Sequence, residues 1–215
     1  MLIEAITVQI FDYFLKPYEN YFVVDIVLEF LAVFLGILSV FFAKMNKIAV
    51  YPTGMISTGI FVYLLFQFEL LGDMIINAYF FLMSIYGWYY WSYKKDGRII
   101  NKVSYGSTND FIISSFIFII SLILVSNIYK SFNLFKSWVA YIDTLTTGIF
   151  FVAMWLMARR KIESWVFWII GDIISIPLYF YKGLAITSIQ YFIFTIIAFR
   201  GYISWIKIYK AKISV

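Results

Sequence analysis

The most prominent pattern in the chain is a series of long apolar runs separated by short polar segments. Each run is long enough to cross the roughly 30 Å hydrocarbon core of a bilayer as a helix. None shows the alternating pattern of about ten residues that is typical of a membrane barrel, so helices are expected. The seven predicted spans are Phe22 to Ala43, Ile48 to Phe66, Leu71 to Tyr93, Phe111 to Tyr129, Trp138 to Ala158, Trp165 to Tyr181 and Leu184 to Trp205.

The segment before the first span has a different pattern. Between Leu2 and Leu15 the polar residues Glu4, Gln9 and Asp12 alternate with apolar residues. The segment has no basic start and no small-residue cleavage site, so we do not interpret it as a signal peptide. Instead, it predicts an interfacial amphipathic helix within residues 1–20.

Composition narrows the range of functions. The chain is 63% hydrophobic and 13% charged, with a mean hydropathy of +0.88, whereas soluble domains are about 25% charged. It contains no His and no Cys, which excludes zinc sites of the usual kind, disulfides, thiol nucleophiles and histidine bases. We therefore predict an integral membrane protein that is not an enzyme and uses no cofactor or metal.

The basic residues predict how the chain is oriented. Its net charge is +5, but the bases lie in short loops, where they orient spans in the membrane and do not indicate nucleic-acid binding. The loops after the first, third and fifth spans and the C-terminal tail carry twelve Lys and Arg residues, and the opposite side carries four. This bias predicts a multi-pass membrane protein with the C-terminus in the cytoplasm and the N-terminus outside. The localisation that we expect is a bacterial inner membrane.

Seven spans can be divided into three, one and three, which is typical of parallel repeats joined by a linker helix. We therefore predict an all-α protein with a first repeat at 21–93, a loop and linker helix at 94–136, and a second repeat with a basic tail at 137–215. A shift of 114 residues superposes Glu29 on Asp143, Lys47-Ile48 on Lys161-Ile162, Gly87 on Gly201 and Trp91 on Trp205.

The sixth predicted span carries the strongest candidate binding residues. At 100° per residue, Trp165, Trp168, Asp172 and Ser175 share an arc of about 80°. A carboxylate beside indole rings suits a flat cation, because cation–π attraction contributes up to about 2 kcal/mol when desolvated. The alternative is a structural acid, for example one that pairs with Arg200 in the last span.

Polar and aromatic residues of the third and seventh spans extend this hypothesis. Asn77 and Gln190 lie deep enough to contact a ligand, although amides also serve simply as hydrogen bonds between helices. The residues that we assign to gating or structural support are Trp88, Trp91, Gly201 and Trp205.

Two motifs carry a family resemblance: Tyr-Gly-Trp-Tyr-Tyr-Trp at 86–91 and Glu-Ser-Trp-Val-Phe-Trp-Ile-Ile-Gly-Asp at 163–172. With Gln67 and the Gly201-x-x-x-Trp205 pair, they resemble the PnuC family of vitamin transporters from about Leu28 to Ile206. The resemblance implies a seven-helix core related to the SWEET sugar transporters, commonly trimeric. It further implies that an unphosphorylated vitamin moves down its gradient and is trapped by a cytoplasmic kinase.

Two departures from the family pattern affect the substrate. Asp172 stands where the family has a substrate-binding Asn, and Ser57 stands where a second Asn is expected, so both are assigned to substrate binding. The expected substrate is nicotinamide riboside, with thiamine as the alternative because both carry an aromatic cation, and with neutral riboflavin third. More distant alternatives are a proton-coupled exchanger and a membrane enzyme.

The charge bias generates the first prediction. An alkaline phosphatase fused to the C-terminus should be inactive, and a fluorescent protein at the same point should be fluorescent, because each reporter works on one side of the membrane only. An active phosphatase together with a dark fluorescent protein would contradict the orientation and the count of seven spans.

Overall fold

The structure, a computed structural model, describes residues 22–68, 71–133, 135, 137–182 and 185–213. The amphipathic helix predicted within residues 1–20 lies outside these described residues. Helices make up almost all of the described chain. Their bounds are α1 Val23–Lys44, α2 Val50–Gln67, α3 Leu71–Ser92, α4 Thr108–Ser131, α5 Trp138–Ala158, α6 Ser164–Tyr181 and α7 Ala185–Ile213.

Within the described chain, six helices are long and apolar enough to cross a membrane: α1, α2, α4, α5, α6 and α7. The remaining helix, α3, is 22 residues long and carries five Tyr and Trp residues between 86 and 91. Their polar ring atoms lower its hydropathy, and such side chains favour the membrane–water interface. The prediction of an apolar, helical, multi-pass protein is thus confirmed, with six to seven helices as candidate spans.

Two elements differ from the prediction. Residues Lys94–Lys95 and Arg98–Ile99 form a short antiparallel hairpin, β1 and β2, around Asp96 and Gly97, which both have positive φ. An Asp-Gly pair is a strong hairpin signal, and this hairpin lies in the loop between α3 and α4 of an otherwise helical fold. Helix α7 continues eight residues beyond Trp205. At about 43 Å it is longer than the hydrocarbon core is thick, so its last turns extend past the core. Basic residues in these turns stabilise the helix C-terminus.

The helices pack as a ring. In order around it, α1 packs on α2, α2 on α3, α3 on α5, α5 on α6, α6 on α7, and α7 on α1. Helix α4 lies outside this ring against α5. Contacts are most extensive within α1–α2–α3 and within α5–α6–α7, and they are sparser at the α3/α5 and α1/α7 seams.

The helix bounds follow the shift of 114 residues. It carries α2 onto α6 at both ends, the end of α1 onto the end of α5, and the start of α3 onto the start of α7. The first residue beyond each C-cap has a left-handed backbone, with φ of 55° at Asn46 and 61° at Arg160. The backbone N–H of Lys47 donates to the carbonyl of Phe42 at 2.9 Å, and that of Lys161 donates to the carbonyl of Leu156 at 2.9 Å. The two connections therefore share one Schellman-type turn.

A buried cluster of aromatic residues closes one end of the ring, and we call it the end cluster. Its members are Ala43, Val50, Tyr51, Trp91, Val103, Met157, Ile162, Trp165, Ala198 and Trp205. The indole N–H of Trp91 donates to the carbonyl oxygen of Ala158 at 3.2 Å, and that of Trp205 donates to the carbonyl oxygen of Ala43 at 2.9 Å. Each half of the ring thus donates one indole hydrogen bond to the other half.

Arg160 ties the connecting loops together at the same end. Its Nε donates to Oδ1 of Asn46 at 2.8 Å, its Nη1 donates to the carbonyl of Asn101 at 2.7 Å, and its guanidinium lies 4.3 Å from the ring centroid of Trp91. Burial lowers the pKa of Arg160 from its ordinary value, and these acceptors and the ring face stabilise its charged form. The loops after α1, α3 and α5 therefore meet at one end, and α1 and α5 run in the same direction.

Two glycines make the close packing of the end cluster possible. A Cβ on Gly87 would lie 2.3 Å from the ring of Tyr51, and one on Gly201 would lie 2.6 Å from the ring of Trp165. Both distances are far below van der Waals contact, and both rings are buried. The rings therefore lie directly against the backbones of α3 and α7.

Overpacking at Gly201 supplies the second prediction. We expect Gly201→Ala to lower the free energy of unfolding by about 1–3 kcal/mol, because the buried indole of Trp165 has no room to move aside. The measurement is thermal unfolding in detergent. The matched control is Gly59→Ala in α2, where a Cβ would meet its nearest neighbour at 3.7 Å. This variant should be neutral or more stable by about 0.5–1 kcal/mol, since Ala favours helix. Equal effects of the two changes would contradict the packing argument.

Candidate functional site

One face of α6 points into the ring. Trp168, Asp172, Ser175 and Tyr179 lie within an arc of about 60° on this helix, at 100° per residue. The indole of Trp168 reaches across the ring, where it contacts Phe80 of α3 at a centroid distance of 5.9 Å. The predicted face of α6 is therefore turned toward the middle of the bundle.

Aromatic rings from four helices meet at this face, and we call them the central cluster. Its members are Phe80, Phe150, Trp168, Tyr179 and Tyr191. Phe150 of α5 lies 5.5 Å from Trp168 and stacks on Tyr191 of α7 at 5.9 Å, and Tyr191 stacks on Tyr179 at 5.0 Å. A continuous line of rings thus runs along the interior from Trp168 to Tyr179.

Gly171 gives Phe150 its place in this cluster. A Cβ at Gly171 would lie 2.4 Å from the ring of Phe150, so only glycine allows the ring to lie against α6. With the shift of 114 residues, Phe150 on α5 corresponds to Gly36 on α1, and Gly171 on α6 corresponds to Ser57 on α2. In the first half the glycine therefore lies on the other helix of the pair, and it faces the Ser57 hydroxyl. The interior of the ring is therefore filled differently in its two halves.

Asp172 is a buried acidic residue on the same inward face of α6 as the central cluster. It is only 2% exposed, and it interacts electrostatically with Tyr191 of α7. Among the residues that the structure describes, Asp172 has no hydrogen-bond donor and no cation partner. Burying a lone carboxylate costs several kcal/mol, a cost that either a proton or a positively charged partner would offset.

Arg200 does not supply that positive charge. Its side chain is exposed on α7, and within the described chain it forms no ion pair with Asp172. The structural alternative of an Asp172–Arg200 pair is therefore wrong. Arg200 is exposed whereas Asp172 is buried, and Gly201, next to Arg200, packs on Trp165, which lies about two turns before Asp172 on α6.

An ion pair marks the end of the ring opposite to the end cluster. Lys182, just after α6, donates to both carboxylate oxygens of Asp143 on α5, at 2.7 and 2.5 Å. The same ammonium lies 4.8 Å from the ring centroid of Tyr179. The line of rings therefore leads from Trp168 to a charged pair that links α5 and α6.

Three of the predicted residues belong to the end cluster, Trp91, Trp165 and Trp205, and a fourth, Gly201, lies against it. Trp165 was assigned to the binding site beside Trp168, but the structure packs its ring against Gly201 and against Trp205 at 5.5 Å. Trp168, one turn further along α6, is the indole that joins the central cluster. A gating role for the end cluster stays a prediction.

The remaining predicted residues lie in varied surroundings. Ser57 is buried and donates its hydroxyl to the carbonyl of Ala32 at 2.7 Å, which joins α2 to α1. Asn77 is half-buried, donates to the carbonyl of Asp73 at 3.0 Å, and occupies the position on α3 that corresponds to Tyr191 on α7. Gln190 is half-buried beside Tyr191. Trp88 is 42% exposed and lies outside both clusters.

Sequence reasoning missed four members of the central cluster. Tyr179 lies seven residues after Asp172 on the same helix face, so helical periodicity could have identified it. Phe80, Phe150 and Tyr191 lie on other helices, and no motif distinguishes them from the many aromatic residues of this chain. Their role depends on how the helices rotate against one another.

Comparison with known proteins identifies the family. A family model described as nicotinamide mononucleotide transporter matches residues 26–207. The chain belongs to this family. The resemblance to PnuC transporters is thereby confirmed, and with it the expectation that the protein is not an enzyme.

Curated relatives and a solved structure agree with this membership. The nicotinamide riboside transporter PnuC of Escherichia coli K12 is 27% identical over 201 residues, which cover 80% of this chain and 82% of that protein. The riboflavin/roseoflavin transporter RibM of Streptomyces davaonensis is 24% identical over 176 residues, covering 80% of each chain. A crystal structure of the vitamin B3 transporter PnuC has a TM-score of 0.65 and 23% identity and covers 98% of this chain and 93% of its own.

The central cluster generates the third prediction. Trp168→Ala should abolish saturable vitamin uptake and leave the protein folded, because it removes a ring that contacts the interior without unpairing a charge. Trp168→Phe, which keeps a ring, should be milder. The control is Trp138→Ala at the surface start of α5. A Trp168→Ala protein that binds the vitamin as tightly as the unchanged protein would show that the indole only packs.

Proposed function

We propose that this PnuC-family protein transports nicotinamide riboside across the inner membrane by facilitated diffusion, and that a cytoplasmic kinase traps the product. One observation carries the proposal: the indole of Trp168 lies on the same inward face as the buried, unpaired carboxylate of Asp172. Nicotinamide riboside presents a flat pyridinium ring with a fixed positive charge. The names of the PnuC relatives support the same substrate.

The physical match has two parts. A pyridinium ring that stacks on Trp168 gains cation–π attraction of up to about 2 kcal/mol when desolvated. Asp172 then supplies the opposite charge, and a charge-assisted contact contributes about 1.5–3 kcal/mol. Because the carboxylate of Asp172 is buried without a cation partner among the described residues, its charged form is unfavourable when no ligand is bound. A cationic ligand would supply the missing partner.

The transport pathway follows from the two-half architecture that we infer. Helices α1–α3 and α5–α7 are proposed to be parallel three-helix repeats joined by α4, as the shift of 114 residues and the paired turns at Asn46 and Arg160 support. Rocking of one half against the other at the two sparse seams would open the interior to each side in turn. Facilitated diffusion requires only these two states.

Asp172 also favours a second candidate substrate. Thiamine carries a thiazolium cation, so the same carboxylate would bind it, and thiamine is our alternative. Riboflavin is neutral and larger, which makes a carboxylate a poor match, although RibM among the relatives is a riboflavin transporter. We rank riboflavin third.

Assembly and orientation remain proposals. The homotrimer rests on the family resemblance, and α4 exposes large apolar residues such as Phe116 and Ile120 that lipid or a second copy can cover. The cytoplasmic C-terminus rests on the charge bias. The loops that carry most of the bases meet at the end of the ring that holds the end cluster, so we assign this end to the cytoplasm.

Removal of the Asp172 charge supplies the fourth prediction. Asp172→Asn should weaken nicotinamide riboside binding by about 1–3 kcal/mol and leave riboflavin unaffected, because it keeps the shape and removes the charge. The measurement is a thermal-shift panel with nicotinamide riboside, thiamine, riboflavin and their phosphates, since a ligand of the folded state raises apparent stability.

Asp143→Asn is the matched control, because it removes a carboxylate at the ion-paired end and leaves the central cluster intact. A larger shift with thiamine than with nicotinamide riboside would favour the alternative substrate. Unchanged affinity for every cation in Asp172→Asn would refute the role of Asp172 as counter-ion.

A further inference from the structure

The hydroxyl of Ser175 differs from most serine and threonine hydroxyls in the described helices, which donate to a backbone carbonyl. Ten described Ser and Thr side chains donate to a carbonyl three or four residues back in their own helix, as Ser84, Ser121 and Thr195 do. Such back-bonding is the usual arrangement in a membrane helix. Ser175 is 0% exposed, and its hydroxyl has no partner.

A buried hydroxyl without a partner destabilises a protein, so each one requires an explanation. Four other buried polar atoms of the described chain have no partner, on Tyr51, Trp155, Ser164 and Trp165. Tyr51 and Trp165 belong to the end cluster, Ser164 begins α6 beside Trp165, and Trp155 lies in the last turn of α5. Among these atoms, the Ser175 hydroxyl is the one on the inward face of α6 that carries Trp168 and Asp172.

The spacing along α6 matches the layout of a cationic nucleoside. Trp168, Asp172 and Ser175 follow one another on one face over about 10 Å of helix. In a pyridinium riboside the positive nitrogen is the ring atom that bonds to the sugar. A ring stacked on Trp168 thus places its charge near Asp172 and its sugar near Ser175.

We propose that Ser175 is a specificity-determining residue that binds a hydroxyl-bearing group attached to the cationic ring, whose charge Asp172 balances. The inference rests on the proposed function, and it identifies which part of the ligand each residue recognises. Trp168 recognises the ring, Asp172 the charge and Ser175 the sugar hydroxyls. A site of this kind rejects a bare cationic ring, because the buried hydroxyl then stays unpaired.

Two ligands with the same cation test this division. Nicotinamide riboside carries the sugar, whereas 1-methylnicotinamide carries a methyl group at the same nitrogen. In Ser175→Ala, the dissociation constant for the riboside should rise about tenfold and that for 1-methylnicotinamide should stay unchanged. In Asp172→Asn, both ligands should bind more weakly. The measurement is titration calorimetry on the purified full chain.

Ser121→Ala is the matched control, because Ser121 is equally buried but lies on α4 and donates to the carbonyl of Phe118 at 2.7 Å. It should leave both affinities unchanged. Thermal unfolding without ligand adds a second readout: Ser175→Ala should be at least as stable as the unchanged protein, because it removes an unpartnered hydroxyl. Ser175→Thr, which keeps a hydroxyl, should retain part of the preference for the riboside.

The outcomes separate this proposal from the proposed function. If Ser175→Ala lowers the affinity for both ligands equally or for neither, Ser175 is a packing residue and the inference is overturned. The same conclusion follows if this change only lowers the stability of the ligand-free protein. The same holds if the unchanged protein binds both ligands equally well. If the unchanged protein binds neither ligand, the proposed function itself fails.

Discussion

The close contact of two aromatic rings with two glycine backbones holds the helix ring together at one end. Tyr51 lies on Gly87, and Trp165 lies on Gly201. These contacts bring neighbouring helices of each half to a separation that no larger residue permits. The indoles of Trp91 and Trp205 can then reach the helix ends of the opposite half. The arrangement of the interior beyond this end depends on that closure.

The two halves have matching helix bounds and turns, but different side chains pack in their interiors. Their turns superpose down to the left-handed residue and its hydrogen bonds. At one equivalent contact, however, the first half pairs Gly36 with Ser57, and the second pairs Phe150 with Gly171. The aromatic ring of the second half extends toward Trp168 and joins the central cluster. The residues of the proposed site therefore come mainly from one half.

Charged and polar groups of the described chain differ in how they are paired. Near helix ends, Lys182 pairs with Asp143 and Arg159 pairs with Asp110. In the interior, Asp172 has no ion-pair partner and the Ser175 hydroxyl has no hydrogen-bond partner among the described residues. Pairing stabilises a charged group in a medium that solvates it poorly. The stability of the fold therefore does not explain these two groups, which is why we propose that they bind a ligand.

The sequence alone determined the helices, their approximate ends, the 114-residue correspondence and the face shared by Trp168 and Asp172. These features are local, because a backbone in lipid must satisfy its own hydrogen bonds and a helix repeats every 3.6 residues. Tertiary structure alone decided that Trp165 joins the end cluster, that Arg200 is exposed away from Asp172, and that Phe80, Phe150 and Tyr191 meet Trp168 in the central cluster. Periodicity defines an arc on one helix, whereas the rotation of that arc toward a neighbour follows from the packing of side chains far apart in the chain.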